Sequence, residues 1–481
     1  MKKMFIFPKF FSLIFLIIIN FSNNEKLVFV QTLCRHGARA PINLKNGTDM
    51  LGVNWESPGE ITPIGKRMEY LLGLINRDRY ITGKYKFLSD KFNPHELLIY
   101  SSDVNRTLES MTSQIQGLYP ASSERVDKLT PDQYNVSFPP ININIEDIEK
   151  EAKKLNDSAL PNYMTVIPIH FITLKNTTTE CANRTKELSL KNGKELSILK
   201  NFVEEFNKNY SAILREYYAN PNITQLSFSS ICGLFDAVIA DITEGKNISE
   251  FFEKTGIDKN DFISWRYKVI AMNFRDYLFG DDNNEVILFY NTPIMKQILG
   301  HMQRRIEEDI NGEPNLKNVS DYSRPKMVMI SGHDTTISAQ EMFFIRFFGL
   351  DLDSYQFPTY SSQMTCEITR VDDDKFNREK KFSDYKVRYY LNNKLILSIP
   401  FDEFKEKVEK VVWNQEQMDN YCFGKKEENL EIGLILVIIM GIVILILIII
   451  IIILLTKIAK GKEDSLNTEK LINNDKIIND D

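Results

Sequence analysis

The sequence lacks the closely spaced cysteines and histidines that bind metal ions. Its five cysteines and five histidines form neither a C-x-x-C nor an H-E-x-x-H motif. It also lacks a concentrated basic patch, because lysine and arginine are spread along the chain and the net charge is −6. It has no internal repeats. These absences argue against a zinc site of those types, a nucleic-acid partner and a repeat architecture.

An apolar run is present near the N-terminus. Lys2 and Lys3 precede residues 10–19, which are apolar but too short to span a bilayer. The pattern predicts a signal peptide over residues 1–23, with cleavage near residues 22–24. An uncleaved membrane anchor is the alternative interpretation.

A second apolar run lies near the C-terminus. Residues 432–455 are uncharged and rich in isoleucine, and about 20 apolar residues suffice to cross the hydrocarbon core. Lys457, Lys460 and Lys462 follow, so the positive-inside rule places the tail, residues 456–481, in the cytosol. We therefore expect a single-pass type I membrane protein.

The region between the two apolar runs has features of a non-cytosolic compartment. After the predicted signal peptide, residues 24–431 contain ten N-x-S/T sequons and all five cysteines. An odd number of cysteines in an oxidising compartment allows two disulfides and one free thiol. Cys34 lies inside an apolar run, so we expect it to be the buried free thiol. These features predict a glycoprotein with disulfide bonds.

The most informative stretch is residues 27–41, which read LVFVQTLCRHGARAP. Its apolar first half predicts a buried strand. Arg35 and Arg39 then flank His36. Arginine holds phosphate through paired, charge-assisted hydrogen bonds, and neutral imidazole is a nucleophile near its reference pKa of about 6.5. A basic surface turn explains R-H-G alone equally well, but the longer pattern is more specific.

Two later apolar runs also end in polar turns that precede helical patterns. Residues 97–101 run into Arg106, in the first turn of a predicted helix, where free N–H groups and the helix dipole favour anions. A surface salt bridge is the alternative role for Arg106 alone. Residues 326–332 run into His333 and Asp334.

Apolar periodicity predicts the elements around these motifs. Helices are predicted over residues 59–80, 194–218, 293–309, 337–348 and 403–413. Strands are predicted over residues 364–371 and 387–399, the second folded as a hairpin at Asn392. Thr62 is the predicted N-cap of the first helix, and Asp103 that of the helix carrying Arg106. No strand is predicted within residues 135–282.

Each motif follows an apolar strand, and open α/β sheets bind ligands at the carboxyl ends of their strands. Neighbouring strand ends would bring together three guanidiniums, two imidazoles and one carboxylate. These belong to Arg35, His36, Arg39, Arg106, His333 and Asp334. Burying such a group without an anion is costly, so the sequence predicts a site for a phosphate dianion.

The motifs R-H-G-A-R-A-P, S-S-D-V-N-R-T and G-H-D-T-T, in this order, resemble those of the histidine acid phosphatases, within the phosphoglycerate-mutase-like superfamily. The resemblance implies an α/β fold with a mixed, mainly parallel sheet flanked by helices. The catalytic domain would span residues 24–428. Its α/β core would comprise residues 24–134 and 283–425, with a helical cap inserted at residues 135–282.

The resemblance also implies roles for the six residues. His36 would be the nucleophile that becomes phosphohistidine, and Asp334 the acid that protonates the leaving alcohol. The phosphoryl oxygens would be bound by Arg35, Arg39, Arg106 and His333. No metal or other cofactor is implied, since arginine supplies the positive charge. The implied disulfides are Cys181–Cys422 and Cys232–Cys366.

We therefore expect a membrane-anchored hydrolase of small phosphate monoesters that works best in acid, in a lysosome-like compartment or at the cell surface. An inositol-polyphosphate or lysophospholipid phosphatase would use the same catalytic residues and is one alternative. A catalytically inactive adhesion or receptor ectodomain is another. The sequence allows a homodimer but does not determine the oligomeric state.

Overall fold

The structure is a computed structural model, and it describes most of the chain. The described residues are 25–42, 55, 57–122, 124–126, 128–139, 146–172, 179–280, 282–312, 324–371, 379–424 and 427–477. The predicted signal peptide, residues 1–23, lies outside them.

Within the described residues, seven strands form one mixed sheet in the order β3-β2-β4-β1-β5-β6-β7. The strands are β1 (Glu25–Arg35), β2 (Leu97–Ser101), β3 (His170–Phe171), β4 (Met327–Gly332), β5 (Gln363–Val371), β6 (Tyr385–Leu391) and β7 (Lys394–Pro400). The pairs β3/β2, β2/β4 and β4/β1 are parallel, whereas β1/β5, β5/β6 and β6/β7 are antiparallel. The predicted mixed sheet is confirmed, although its parallel and antiparallel pairs are equal in number and it is not mainly parallel. The hairpin at Asn392 is confirmed as well.

Helices accompany the sheet along the chain. The α-helices between residues 25 and 411 are α1 (Pro63–Arg77), α2 (Asn105–Leu118), α3 (Pro131–Val136), α4 (Glu146–Leu155), α5 (Thr179–Glu195), α6 (Ser197–Tyr217), α7 (Phe228–Thr243), α8 (Ser249–Thr255), α9 (Lys259–Ala271), α10 (Glu285–Asn311), α11 (Asp334–Phe348) and α12 (Phe401–Val411). Helices α2, α10, α11 and α12 pack against strands. This packing explains why β1 and β4 are buried along nearly their whole length.

The sheet and the helices α6–α9 have separate apolar cores. Val30 and Met329 of the sheet pack with Met111 of α2. Helices α6–α9, which we call the cap, enclose an aromatic cluster that includes Phe206 and Trp265. The cap therefore has its own hydrophobic interior, beside the sheet that carries the polar strand ends.

Several predicted element boundaries differ in the structure. The helix predicted over residues 194–218 is interrupted, because α5 ends at Glu195 and α6 begins at Ser197. The helix predicted from residue 293 begins at Glu285, and Pro293 lies inside it. A two-residue strand, His170–Phe171, pairs with β2 inside the region where none was predicted. Two residues are too few to show an alternating pattern.

The two predicted N-caps had different outcomes. Thr62 caps α1, since its Oγ1 accepts a hydrogen bond of 3.2 Å from the Gly65 backbone N–H. Asp103 does not cap α2. That helix begins one residue later than expected, with Val104 at the cap position and no side-chain cap.

Residues 416–481 form a separate compact unit. Helix α13 (Gln415–Phe423) is followed by α14 (Glu427–Ile477), which is 51 residues long. Within the described residues, Leu436–Leu466 is the one helical segment long and apolar enough to cross a membrane. It overlaps the predicted span, residues 432–455.

The cysteine pairing agrees with the sequence analysis in part. Cys181 and Cys422 are disulfide-bonded, and Cys34 is a buried free thiol, as expected. The implied Cys232–Cys366 disulfide is wrong, because both are free thiols. Cys232 packs against the cap cluster from α7, whereas Cys366 is buried in β5 of the sheet. A disulfide requires the two Cα atoms to lie within about 7 Å.

Candidate active site

The three motifs meet at one edge of the sheet. Strands β2, β4 and β1 are adjacent and parallel, with Arg35 in register with Gly332 and Ser101 in register with Ser331. The residues that follow each strand therefore emerge side by side. This arrangement brings the six predicted site residues together, as the sequence analysis expected.

His36 is buried at the centre of this edge, with 2% of its surface exposed. Its Nδ1 lies 2.9 Å from the carbonyl oxygen of Gly37. A carbonyl can only accept a hydrogen bond, so Nδ1 carries the proton and Nε2 carries the free lone pair. The His36 ring lies 5.7 Å from the His333 ring and 5.9 Å from the Tyr360 ring, between centroids.

The surroundings of His36 keep its imidazole neutral. Burial lowers its pKa most, and the charges of Arg35, Arg39 and Arg106 lower it further, so the pKa lies well below its usual value of 6.5. An imidazole in this position keeps its lone pair in mildly acidic solution, where an exposed histidine is protonated.

Gly37 allows the turn after His36 to approach helix α1 closely. A Cβ atom built on Gly37 would lie 2.4 Å from the carbonyl oxygen of Gly65, which is a backbone atom and cannot move independently. The Gly37 N–H also donates a hydrogen bond of 3.0 Å to Ser110 Oγ on α2. Both helices therefore hold the turn that carries His36.

Arg35 is held from several sides. Its Nη2 lies 2.8 Å from Oδ2 of Asp334, and its Nη1 donates to the carbonyl oxygen of Pro358 at 2.9 Å. Its guanidinium carbon lies 4.4 Å from the centre of the Tyr360 ring and 5.3 Å from that of Phe357. Such stacking restricts the orientation of the guanidinium.

Arg39 pairs with a carboxylate of the cap. Its two terminal nitrogens donate to the two oxygens of Asp236 on α7, at 3.2 and 2.9 Å. Asp236 Oδ2 also accepts from the Ile42 backbone N–H at 2.9 Å. Arg39 is 6% exposed, so this bidentate ion pair is largely shielded from water.

Arg106 and His333 lie next to each other. Arg106 is in the first turn of α2, as predicted, and its Nη2 lies 3.5 Å from Nδ1 of His333. Arginine can only donate, so Nδ1 is the acceptor and Nε2 of His333 donates to Ser102 Oγ, 3.0 Å away. His333 is the N-cap residue of α11, directly after β4.

Three donors of the site have no acceptor among the described residues. The Nε atoms of Arg35, Arg39 and Arg106 are each buried without a hydrogen-bond partner. A buried, charged donor without a partner is destabilising by about 1–3 kcal/mol or more. An anion with several oxygen acceptors would satisfy such donors.

The charge of Asp334 depends on its neighbours. Burial alone would raise its pKa, but Arg35, Arg39 and His333 lower it by a greater amount, so the net shift is downward. The Thr335 N–H donates to Oδ1 at 2.8 Å. The proton affinity of the Asp334 carboxylate is therefore lowered by Arg35 and Arg39, which are two of the arginines whose Nε–H donors a bound anion would satisfy.

The sequence analysis missed the residues that hold these groups in place. Asp236, Ser102, Phe357 and Tyr360 each contact one of the six predicted residues. Asp236 gives a weak signal, because it is an acidic residue within the apolar stretch FSSICGLFDAVIADIT. Phe357 and Tyr360 lie in a loop without periodicity, and nothing in their spacing predicts the contact.

The fold and the site can now be compared with known proteins. The sequence model of the histidine phosphatase superfamily (branch 2) matches residues 26–392. The chain belongs to this superfamily. The six predicted site residues and Asp236 all lie within the part that matches the superfamily.

Curated relatives match this chain at moderate to low sequence identity. Lysosomal acid phosphatase of Xenopus laevis is 30% identical over 145 residues, which are 30% of this chain and 32% of that protein. Lysosomal acid phosphatase of Homo sapiens is 23% identical over 361 residues, 74% of this chain and 71% of the human protein. The chain thus spans about a third of the length of the frog relative.

A solved structure supports the fold. Hafnia alvei phytase, in complex with myo-inositol hexakis sulphate, superposes with a TM-score of 0.53 at 12% sequence identity. The superposition covers 81% of this chain and 98% of the phytase. At this identity the likeness shows a shared histidine-phosphatase-like fold.

Proposed function

We propose that this protein is an acid phosphatase that hydrolyses phosphate monoesters through a phosphohistidine formed on His36. The observation that supports the proposal is the hydrogen bonding of the His36 imidazole. Its Nδ1–H is bonded to the Gly37 carbonyl, which leaves the Nε2 lone pair available. Three guanidiniums lie around it, each with a buried Nε–H donor that has no acceptor among the described residues.

In the first step, the Nε2 lone pair of His36 attacks phosphorus and the bond from phosphorus to the ester oxygen breaks. Arg35, Arg39 and Arg106 bind the phosphoryl oxygens and offset the charge that spreads over them. His333, once Nδ1 is protonated, donates to the same oxygens from the side of Arg106. The leaving alkoxide takes a proton from Asp334.

Proton transfer from Asp334 requires its pKa to rise when substrate binds. In the empty site the arginines lower that pKa. A bound dianion offsets the same positive charges, which favours the protonated carboxylic acid. Substrate binding and proton uptake by Asp334 are therefore coupled in this proposal.

In the second step, water attacks the phosphohistidine, the phosphorus–nitrogen bond breaks and the electron pair returns to Nε2. The Asp334 carboxylate accepts the proton of the attacking water. The positive charge in both steps comes from arginine side chains, so the proposed reaction uses no metal ion.

The proposal predicts that the protein is most active in acid. The lowered pKa of His36 keeps the nucleophile unprotonated below neutral pH, while acid favours the protonated form of Asp334. A lysosome-like compartment fits this requirement, and the cell surface is the alternative location. In either, the apolar helix would anchor the protein as a type I membrane protein.

The test compares His36→Ala with His170→Ala in the full-length protein in detergent. We expect His36→Ala to lower kcat for p-nitrophenyl phosphate more than about 10³-fold, because the proposed reaction forms its covalent intermediate on His36. His170 is an exposed histidine of β3, so its removal should have no effect. Full activity of His36→Ala would refute the proposal. Inactivity of the folded wild-type protein at every pH would favour an inactive receptor ectodomain.

The role of Asp334 has its own signature. Asp334→Asn should lower kcat for the hydrolysis of ethyl phosphate, which has a poor leaving group, by about 10²–10⁴-fold. It should lower kcat for p-nitrophenyl phosphate, which has a good leaving group, much less. Equal losses for both esters would remove Asp334 from the role of acid.

A further inference from the structure

A cavity of about 220 Å³ lies against Arg35. One wall comes from the cap, with Ile239, Ile242 and Thr243 of α7 and Ile270 of α9. Clefts of about 750, 730 and 620 Å³ occur elsewhere in the described residues, but none of the six site residues lines them.

The opposite wall connects this cavity with the site. Arg35, Phe357 and Tyr360 line it, and Met68 of α1 completes it. Tyr360 lies 5.9 Å from His36, between ring centroids. A molecule in the cavity and a phosphoryl group at His36 would therefore both lie beside Arg35 and Tyr360.

Arg35 also links the cavity with the proposed acid. Arg35 contacts Oδ2 of Asp334 at 2.8 Å, and in the proposed reaction Asp334 protonates the leaving oxygen. An alcohol released next to Asp334 is thus released next to Arg35 and the apolar wall beyond it.

The chemistry of the lining favours an uncharged, apolar group. Besides Arg35, the one charged lining residue is Arg266, whose Nη2 donates to the Tyr267 hydroxyl at 2.7 Å and whose guanidinium stacks on the Tyr267 ring. The remaining lining is mostly aliphatic and aromatic. A leaving group with several phosphates would need more cationic partners than these.

Resting on the proposed function, we propose that this cavity binds the alcohol part of the substrate. It selects monoesters of compact apolar or aromatic alcohols over polyphosphorylated ones. An apolar cavity of about 150 Å³ holds a benzene molecule, so 220 Å³ accommodates an aromatic ring with a short alkyl linker.

The first test uses ethyl phosphate and 2-phenylethyl phosphate, whose leaving alkoxides have similar basicity, together with inositol hexakisphosphate. The full-length protein in detergent should show a kcat/KM about 10- to 100-fold higher for 2-phenylethyl than for ethyl phosphate, because the added phenyl group is buried. Inositol hexakisphosphate should be the slowest of the three.

Variants of the cavity wall provide the second test. Thr243→Trp, which fills the cavity, should reduce the preference for the phenyl ester at least about fivefold and change kcat/KM for ethyl phosphate less than about twofold. Thr243→Val, of nearly the same size, should keep the wild-type preference. Should the Trp variant not fold, Tyr267→Ala decides instead. Tyr267 is 52% exposed, and its removal opens the wall, so the preference should again fall.

The outcomes separate the two proposals. Equal kcat/KM for the two simple esters, or a higher value for inositol hexakisphosphate, overturns this inference and leaves the phosphatase proposal intact. A preference that is unchanged in folded Thr243→Trp, or in Tyr267→Ala where the Trp variant does not fold, overturns it as well. No hydrolysis of any ester by the folded wild-type protein overturns both.

Discussion

The ion pair between Arg39 and Asp236 shows how a single residue of the cap reaches the anion site. Asp236 accepts two hydrogen bonds from Arg39 and one from the Ile42 backbone N–H. A phosphoryl group must therefore compete with Asp236 for the charge of Arg39. The pair also keeps a buried guanidinium partly compensated when no anion is bound.

We predict that Asp236→Asn destabilises the empty protein and strengthens phosphate binding. The amide keeps the shape but removes the negative charge, so Arg39 loses its counter-ion and becomes available to an anion. Without phosphate, we expect the free energy of unfolding, measured by thermal denaturation, to fall by about 1–3 kcal/mol. The inhibition constant of inorganic phosphate should fall several-fold.

The matched control is Glu109→Gln, which removes a pair with Lys66 whose two side chains are 42% and 51% exposed. Exposed ion pairs contribute little to the free energy of unfolding, so neither the unfolding temperature nor the inhibition constant of phosphate should change. Weaker phosphate binding by Asp236→Asn would mean that Asp236 positions Arg39 for the anion and does not compete with it.

At the scale of elements, the sequence predicted the three strand ends but not the cap residues that contact them. The runs before His36, Arg106 and His333 are apolar and short, which is enough to identify buried strands. Cap residues such as Asp236 could not be assigned, because Asp236 lies 197 positions from its partner Arg39. Local patterns carry no information about such pairings.

Helix α1 shows a further feature that periodicity does not reveal. It packs against α2 through glycines, and a Cβ atom on Gly117 would lie 2.0 Å from the carbonyl oxygen of Tyr70. The two helices approach each other through their backbones at this point. The position of α2 fixes that of Arg106, so this contact supports the anion site.

We predict that Gly117→Ala destabilises the protein by about 1–3 kcal/mol and raises KM, because α2 must move away from α1 and carry Arg106 with it. Thermal unfolding and steady-state kinetics are the measurements. Gly300→Ala in α10 is the control. Its added Cβ would meet only the end of the Arg304 side chain at 3.7 Å, and alanine favours helices, so stability should stay the same or rise. Unchanged stability and KM in Gly117→Ala would contradict the backbone contact.

At the scale of the whole molecule, two buried carboxyl groups favour an acidic environment. Burial raises the pKa of Glu69 to about 8 and that of Glu341 to about 8. Glu69 accepts a hydrogen bond of 2.8 Å from Ser361 Oγ. Both groups are protonated in the folded protein at a pH where they ionise in the unfolded chain. Their contribution to stability is therefore complete in acid and is lost as the pH rises towards 8.

We predict that Glu69→Gln raises the unfolding temperature at pH 7 and has a much smaller effect at pH 5. Between the ordinary pKa of 4.5 and the folded value of about 8, each unit by which the pH rises lowers the free energy of unfolding of the wild-type protein by up to about 1.4 kcal/mol. Glutamine does not ionise and avoids this loss. The measurement is thermal unfolding at both pH values, with the exposed Glu409→Gln as control. An equal shift at pH 5 and pH 7 would show that Glu69 is ionised in the folded state.

The hydrogen bond from His36 to the carbonyl of its own neighbour Gly37 has an evolutionary consequence. The tautomer of the nucleophile is set within two consecutive residues, whereas the cavity beside Arg35 is built largely from distant cap helices. Mutations that reshape the cap can thus accumulate without altering the reactive nitrogen. A lineage can acquire new substrates while it inherits the same chemistry unchanged.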